Sequence, residues 1–188
     1  NRNQFSNLLN GVIHLPHTHI PEKNSFSWGQ PKYGKEKAEA LIDIINFHGS
    51  ENIAAVIVEP VAGSTGVLVP PIGYLEKLRE ICTKNNILLI FDEVITGFGR
   101  VGDSFASERF KVIPDMITMA KGITNATVPM GAVGVNARIY EMLIKNKKEK
   151  IELFHGYTYS GHPLACAAGL ATLEVYQEEK LFERAKGL

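Results

Sequence analysis

Three apolar runs of the chain end at charged residues whose types can do chemistry. Glu59 ends the first run, Asp92 followed by Glu93 ends the second, and Lys121 ends the third. A carboxylate or an ammonium group that is buried without a partner is energetically costly. These side chains therefore need partners, which are either one another or a ligand.

Two interpretations of Asp92 and Lys121 are open on spacing alone. In the first, the carboxylate and the ammonium form an ion pair and bind no ligand. In the second, they hold a ligand: Gly122 would let a bulky group approach the backbone, and the glycines of VITGFGR, which follow Asp92, suit a tight turn at a crevice. A lysine in an apolar setting can act as a nucleophilic amine, and an acid can hold a protonated heterocyclic nitrogen. Pyridoxal phosphate needs both groups, so the pair favours this cofactor.

The elements that must position these residues alternate between strands and helices. Short, continuous apolar runs predict strands that are buried on both faces, and apolar residues at helical spacing predict helices. Alternation of this kind is typical of an α/β fold with a mainly parallel sheet flanked by helices, in which ligands bind at the carboxyl ends of the strands. Residues 1–33 are predicted as loop. The predicted strands are 54–60, 87–92, 116–120 and 130–135, and the predicted helices are 35–49, 73–86, 138–146 and Pro163–Glu178.

Composition excludes several function classes. The chain has 188 residues, of which 45% are hydrophobic, and its formal net charge is zero, as expected for one globular domain without a nucleic-acid or membrane partner. Cys82 and Cys166 are interpreted as core residues, and no Cys/His spacing suits a metal. The absence of a signal peptide or a membrane-spanning run favours a cytoplasmic, reducing compartment. The first residue is not methionine, so a piece of a longer polypeptide is also possible.

A series of motifs adds a family resemblance to this interpretation. The motifs are VIVEPVAGSTGVLVPPIGYLEKLREI, ILLIFDEVITGFGRVGDSFA, PDMITMAKGIT, PMGAV and HGYTYSGHPLACAAGLATLE, which cover the chain from about residue 54 to its end. In order and approximate spacing they resemble the class III (ω-amino acid) aminotransferases of the fold-type I pyridoxal-phosphate enzymes. Residues 1–50 match more loosely, through GVIHLPHTHI and FSWGQP.

The resemblance implies a role for each residue of the site. Lys121 matches the lysine that forms the Schiff base with the cofactor, and Asp92 matches the acid bonded to the pyridine nitrogen. Val94 matches the apolar residue packed on one face of the ring. Thr158 matches a threonine that reaches the cofactor phosphate of a neighbouring subunit, which implies a homodimer with shared active sites. Without the resemblance, Thr158 would be interpreted as a loop hydroxyl.

Other polar residues near these motifs have simpler interpretations. Glu59 is either a family glutamate beneath the site or a strand-end acid bonded to backbone. His155 and His162 are expected to act in turns and helix capping rather than as bases. The aromatic cluster of Phe26, Trp28 and Tyr33 is expected to serve packing.

The resemblance also implies an activity, and it implies which part of such an enzyme the chain represents. The reaction is the ping-pong transfer of an amino group from an ω-amino acid or amine to a keto acid, and Ser64 and Ile95 favour pyruvate over 2-oxoglutarate as the acceptor. The chain would be most of the large domain, without the family's N-terminal phosphate loop and small C-terminal domain. Alternatives are a catalytically incomplete fragment and a related aminomutase or decarboxylase. A dinucleotide-binding domain is disfavoured because no G-x-G-x-x-G follows a strand.

Overall fold

A four-stranded sheet forms the centre of the computed structural model, which describes residues 9–145, 153 and 155–188. The strands lie in the same order in the sheet as in the chain; β1, β2 and β3 are parallel, and β4 is antiparallel to β3. The prediction of a mainly parallel α/β sheet is confirmed. The strands are β1 Ala55–Val58, β2 Leu88–Asp92, β3 Met116–Met119 and β4 Ala132–Val135.

Helices connect and flank these strands. The four predicted helices are present, although the first begins as a 3-10 turn and the predicted end of the third, at residue 146, lies outside the described residues. The prediction of loop throughout 1–33 is wrong for the short helix at Pro21–Asn24, and the helices at Ala106–Arg109 and Leu181–Lys186 were not predicted. No helix within the described ranges is long and apolar enough to cross a membrane. The helices are α1 Pro21–Asn24, α2 Ala40–His48, α3 Tyr74–Lys84, α4 Ala106–Arg109, α5 Ala137–Ile144, α6 Pro163–Glu178 and α7 Leu181–Lys186, with 3-10 turns at Lys35–Glu39, Ser50–Asn52 and Lys121–Thr124.

The core lies where α3 packs against β2. Alternate residues of β2 are buried, because successive side chains of a strand point to opposite faces. Leu89 and Phe91 of β2 are fully buried, together with Leu75 and Leu78 from the apolar stripe of α3. Cys82 belongs to the same cluster, as predicted, and burial raises the pKa of its thiol to about 11, so it stays protonated at neutral pH.

The opposite face of the sheet is more open than the sequence predicts. Ile57 of β1 is 62% exposed, and Val133 of β4 is 58% exposed. Both lie at positions that alternate with core-facing residues, and the core helices pack against the other face. The prediction that the first strand is buried on both faces is therefore wrong for Ile57.

The amino end of the sheet is fixed by Asp115, which directly precedes β3. Its carboxylate accepts hydrogen bonds from the backbone N–H of Leu89 at 2.8 Å, from Arg79 at 2.7 Å and from the side chain of Asn136 at 3.0 Å. Burial opposes ionisation of Asp115, but the Leu89 N–H and the Arg79 guanidinium outweigh it, so the pKa of this carboxyl is lowered. Neighbouring strands are thus aligned, which sets where their carboxyl ends fall.

Candidate active site

Asp92 ends β2 at the carboxyl end of the sheet, where parallel α/β folds bind ligands. The residue is half-buried, and one carboxylate oxygen, Oδ1, accepts a hydrogen bond from the backbone N–H of Val94 at 3.1 Å. The other oxygen, Oδ2, accepts no hydrogen bond from the part of the chain that the structure describes. Asp92 therefore has acceptor capacity left for a donor that the chain itself does not supply.

Thr118 lies next to Asp92 on the neighbouring strand. The two residues are register partners in the parallel pairing of β2 with β3. The Thr118 hydroxyl oxygen is buried and has no hydrogen-bond partner among the described residues. Two polar groups with unused hydrogen-bonding capacity are thus register partners near the carboxyl end of the sheet, and the unpaired buried hydroxyl of Thr118 is the rarer of the two features.

Glu93, directly after Asp92, has the opposite character. Its side chain is fully buried, and its carboxylate accepts hydrogen bonds from the hydroxyl of Thr96 at 2.7 Å and from the backbone N–H groups of Ala106 and Ser107 at 2.7 and 2.8 Å. Those two N–H groups begin α4, so Glu93 caps this helix from a distance in sequence. The two adjacent carboxylates therefore divide their roles: Glu93 stabilises the turn and Asp92 remains available.

Lys121 begins the 3-10 turn that follows β3, and its side chain is exposed. Its φ of 48° lies in the left-handed region, which costs a residue with a Cβ about 1–2 kcal/mol. Within the described residues no ion pair joins Lys121 to Asp92, so the interpretation of the two as a simple ion pair is not supported. Backbone strain of this kind is found preferentially at functional sites, and the role of Lys121 stays a prediction.

Gly122 explains why the turn can close. A Cβ on this residue would lie 2.6 Å from the Cβ of Phe98, which is closer than side chains approach. The bulky group that comes close to this backbone is therefore Phe98, from the glycine-rich turn after Asp92, whereas the sequence suggested a ligand. The two turns that carry Asp92 and Lys121 are packed directly against each other.

The segments beside Asp92 match the simpler sequence interpretations. Val94 is half-buried and donates its N–H to Asp92, while Ile95 packs against Gly63 in the turn after β1. Glu59 accepts a hydrogen bond from the Gly63 N–H at 3.0 Å, which makes it the strand-end acid bonded to backbone. Val94 lies beside Asp92, as its hydrogen bond shows. Its packing against the ring of a cofactor stays a prediction.

Thr158 lies in an exposed turn before α6 and is not joined to Asp92 or Lys121 by any hydrogen bond among the described residues. Tyr157 and Tyr159 on either side of it are 73% and 79% exposed.

The two histidines that flank this turn have different surroundings. His162 is the residue at the start of α6, but its side chain makes no capping hydrogen bond. The His155 ring packs edge-on against Tyr157. The turn presents aromatic and hydroxyl groups outward rather than toward the rest of the site.

Sequence comparison decides the family. The family model for class III aminotransferases matches residues 1–188. The chain belongs to the class III aminotransferases. This family uses pyridoxal phosphate, and the resemblance given by the motifs is confirmed.

Individual members of the family are similar over the whole chain. It is 64% identical to an omega-aminotransferase of Caulobacter vibrioides over 100% of its own length and 43% of that relative. It is 50% identical to an omega-amino acid–pyruvate aminotransferase of Pseudomonas putida, over 97% of its length and 41% of that relative. The chain therefore spans about two fifths of the length of the curated relatives that it matches.

Solved structures agree on the fold. The omega transaminase from Pseudomonas jessenii in complex with PMP superposes with a TM-score of 0.83 at 36% identity, and the alignment covers 95% of this chain and 40% of that one. The fold predicted from the sequence, that of a fold-type I transferase with a mainly parallel sheet, is confirmed.

Proposed function

We propose that this chain is part of an enzyme that transfers an amino group from an ω-amino acid or amine to a keto acid, with Asp92 and Lys121 at the centre of its site. The observation that carries the proposal is that an available carboxylate ends β2 while an exposed lysine lies in the strained turn that follows β3, the adjacent parallel strand. Residues 1–188 are proposed to form most of the large domain of such an enzyme.

The side chains present fit the ring and the aldehyde of pyridoxal phosphate. Asp92 has a free carboxylate oxygen, which suits a protonated ring nitrogen, and Lys121 offers a primary amine, which suits an aldehyde. When bound, the cofactor supplies an aldehyde that exchanges amines and a ring that accepts electrons. Val94 is proposed to lie against one face of that ring.

Lys121 and Asp92 have distinct tasks in the proposed mechanism. Lys121 Nζ would hold the cofactor through its aldehyde and, when freed from it, would serve as the base that accepts the proton of the amine-bearing carbon. Asp92 Oδ2 would accept a hydrogen bond from the protonated ring nitrogen and so would favour the positively charged ring. Both steps need the amine and the carboxylate at fixed positions, and the packed turns of the sheet edge supply such positions.

Thr158 is proposed to act across a subunit interface. Its hydroxyl is exposed, and the flanking tyrosines are exposed as well, so this turn is suited to meet another protein surface. In a homodimer with shared active sites, it would donate a hydrogen bond to the cofactor phosphate of the partner.

Pyruvate is the proposed acceptor. The support is that two relatives, from Pseudomonas putida and Pseudomonas aeruginosa, are named as omega-amino acid–pyruvate and beta-alanine–pyruvate aminotransferases. Ser64 and Ile95 also support pyruvate, because the resemblance implies other residues at these two positions in relatives that use 2-oxoglutarate. A cytoplasmic location is also proposed, because both cysteines are free, as is usual in a reducing compartment.

Reductive trapping tests the proposal. The chain is mixed with pyridoxal phosphate, reduced with borohydride and digested, and the pyridoxyl adduct is located by mass spectrometry. We expect labelling to concentrate at Lys121 and to disappear in Lys121→Arg, while Lys145→Arg, which changes a lysine that is 72% exposed, leaves that labelling unchanged. Asp92→Asn should weaken labelling at Lys121.

The opposite result is equally clear. Labelling that is spread over surface lysines, with Lys121 no more reactive than Lys145, would refute a working site in this chain. If Lys121 is labelled, turnover with an ω-amino acid and either pyruvate or 2-oxoglutarate then identifies the acceptor. The absence of amino transfer would favour a catalytically incomplete fragment, or an aminomutase or decarboxylase.

A further inference from the structure

The strained backbone of Lys121 needs something to hold it. A left-handed residue with a Cβ persists only where its surroundings fix it. Within the turn, the Lys121 carbonyl accepts a hydrogen bond from the Ala126 N–H at 2.8 Å, and the Gly122 carbonyl accepts one from the Asn125 N–H at 3.2 Å. These bonds close the turn but do not attach it to the rest of the molecule.

Tyr176 makes that attachment. Its hydroxyl donates a hydrogen bond to the carbonyl oxygen of Gly122 at 2.7 Å, across 54 residues of sequence. The carbonyl belongs to the residue directly after Lys121, so the bond fixes the peptide plane between Gly122 and Ile123, one residue beyond the strained φ. Burial raises the pKa of the Tyr176 phenol, against a smaller opposing effect of Arg100, so the hydroxyl keeps its proton at neutral pH.

Aromatic packing holds Tyr176 in place. Its ring stacks with Phe98 at 6.1 Å between centroids and packs against Phe182 of α7 at 5.3 Å. Phe98 in turn occupies the space above Gly122. The turn of Lys121 is therefore held at Gly122 in two ways: Tyr176 donates a hydrogen bond to the carbonyl oxygen, and the Phe98 side chain fills the space beside the Cα.

We propose that Tyr176 is a positioning residue for Lys121, which it holds in its left-handed conformation through the carbonyl of Gly122. The chemistry assigned to Lys121 rests on the function proposed above, whereas the hold on the turn does not. Tyr176 touches neither substrate nor cofactor in this proposal. It acts only by fixing where the lysine side chain begins.

The hold on the turn is tested without cofactor by hydrogen exchange. Tyr176→Phe removes the hydroxyl and keeps the aromatic packing, and Tyr140→Phe is the matched control, since Tyr140 is 57% exposed and its hydroxyl has no hydrogen bond to described residues. We expect amide exchange at Asn125 and Ala126 to become about three- to tenfold faster in Tyr176→Phe, as the loss of one hydrogen bond would produce. The control should leave it unchanged.

The effect on the lysine is tested by the same two variants with pyridoxal phosphate present. In Tyr176→Phe, the ratio of borohydride-trapped adduct at Lys121 to adduct at Lys145 should fall, together with the visible absorption of the lysine-bound cofactor. The Tyr140→Phe variant should keep both. A purely structural role of Tyr176 would lower stability without changing this ratio.

Three results would overturn the proposal. The first is unchanged exchange at Asn125 and Ala126 in Tyr176→Phe. The second is faster exchange over the whole chain, which would show a general loss of stability. The third is an unchanged Lys121-to-Lys145 ratio. If the unsubstituted chain is not labelled at Lys121 at all, the proposed function fails, and the exchange experiment alone decides whether Tyr176 holds the turn.

Discussion

The turn at Lys121 and the turn at Thr158 both carry residues of the proposed site, and they are built in opposite ways. Around Lys121, Phe98 fills the space above Gly122 and Tyr176 bonds its carbonyl, so the backbone has little freedom. Around Thr158, the side chains are exposed, and a Cβ at the nearby Gly156 would meet none of the described residues within 4 Å. Among the residues that the structure describes, one turn is packed by its own chain and the other is not.

This difference separates two ways in which a site can be fixed in position. The lysine and the aspartate are placed by packing within the fold, and their geometry should be present as soon as the chain folds. The threonine gains a defined position only when another surface meets its turn. Substitutions of the packing residues that hold the first region should therefore change stability, whereas substitutions in the second should change only assembly and activity.

The largest effect on the stability of the chain is expected from a substitution of Glu93, which fixes the turn after Asp92. Glu93→Gln keeps the shape of the side chain but places an amide NH₂ opposite backbone N–H donors, so at least one buried hydrogen bond is lost. We expect the free energy of unfolding to fall by about 1.5–3 kcal/mol, as for hydrogen bonds to a charged group. Urea denaturation measures it.

Asp92→Asn is the matched control for Glu93, because it makes the same chemical change one residue earlier. The Asn side chain can still accept the hydrogen bond from the Val94 N–H, so stability should change by no more than about 0.5 kcal/mol. Equal losses in the two variants would contradict the division of roles between the adjacent carboxylates.

A pair of glycine substitutions tests the packing difference directly. In Gly122→Ala the new methyl group would collide with Phe98, and overpacking of this kind costs about 1–3 kcal/mol. Gly156→Ala adds the same methyl group to the open turn and should shift stability by no more than about 0.5 kcal/mol. Thermal unfolding compares the stability of the two variants. Similar melting temperatures would mean that both turns have room for a methyl group, and would contradict the difference in packing.

The smallest effect on the chain is expected at Thr158. Since its side chain is exposed and makes no hydrogen bond to the described residues, Thr158→Ala should alter the free energy of unfolding by less than about 0.5 kcal/mol. In a holoenzyme, the same substitution should weaken cofactor binding, which a titration with pyridoxal phosphate measures. A large loss of stability in the single chain would show that Thr158 has a structural partner that its exposed position hides.

The sequence predicted the regular elements well because their residues follow simple periods. The apolar stripe of α3 and the short apolar strands follow helical and strand periods, and their positions were predicted to within a few residues. α4 was missed because its first N–H groups are capped by Glu93, far away in sequence. No local pattern reveals a cap of that kind.

Part of the site could be predicted because it also depends on the regular pattern of the strands. Asp92 and Lys121 stand where apolar runs stop, so their placement at one sheet edge follows from the strand pattern. The role of Glu93, the occupant of the space at Gly122 and the bond from Tyr176 depend on contacts between distant segments. The sequence offered a weak signal only for Gly122, since a glycine directly after a lysine suggested close approach without naming the group that approaches.

Because side chains alternate along β2, the length of this strand decides which face each of the two adjacent carboxylates occupies. Leu89, Phe91 and Glu93 fall on the buried side, while Asp92 falls between them. A deletion of one residue within this strand would move the glutamate to the place of the aspartate and turn the aspartate into the buried place of Phe91. A change in the length of this strand therefore keeps each carboxylate on its own face only if it adds or removes two residues.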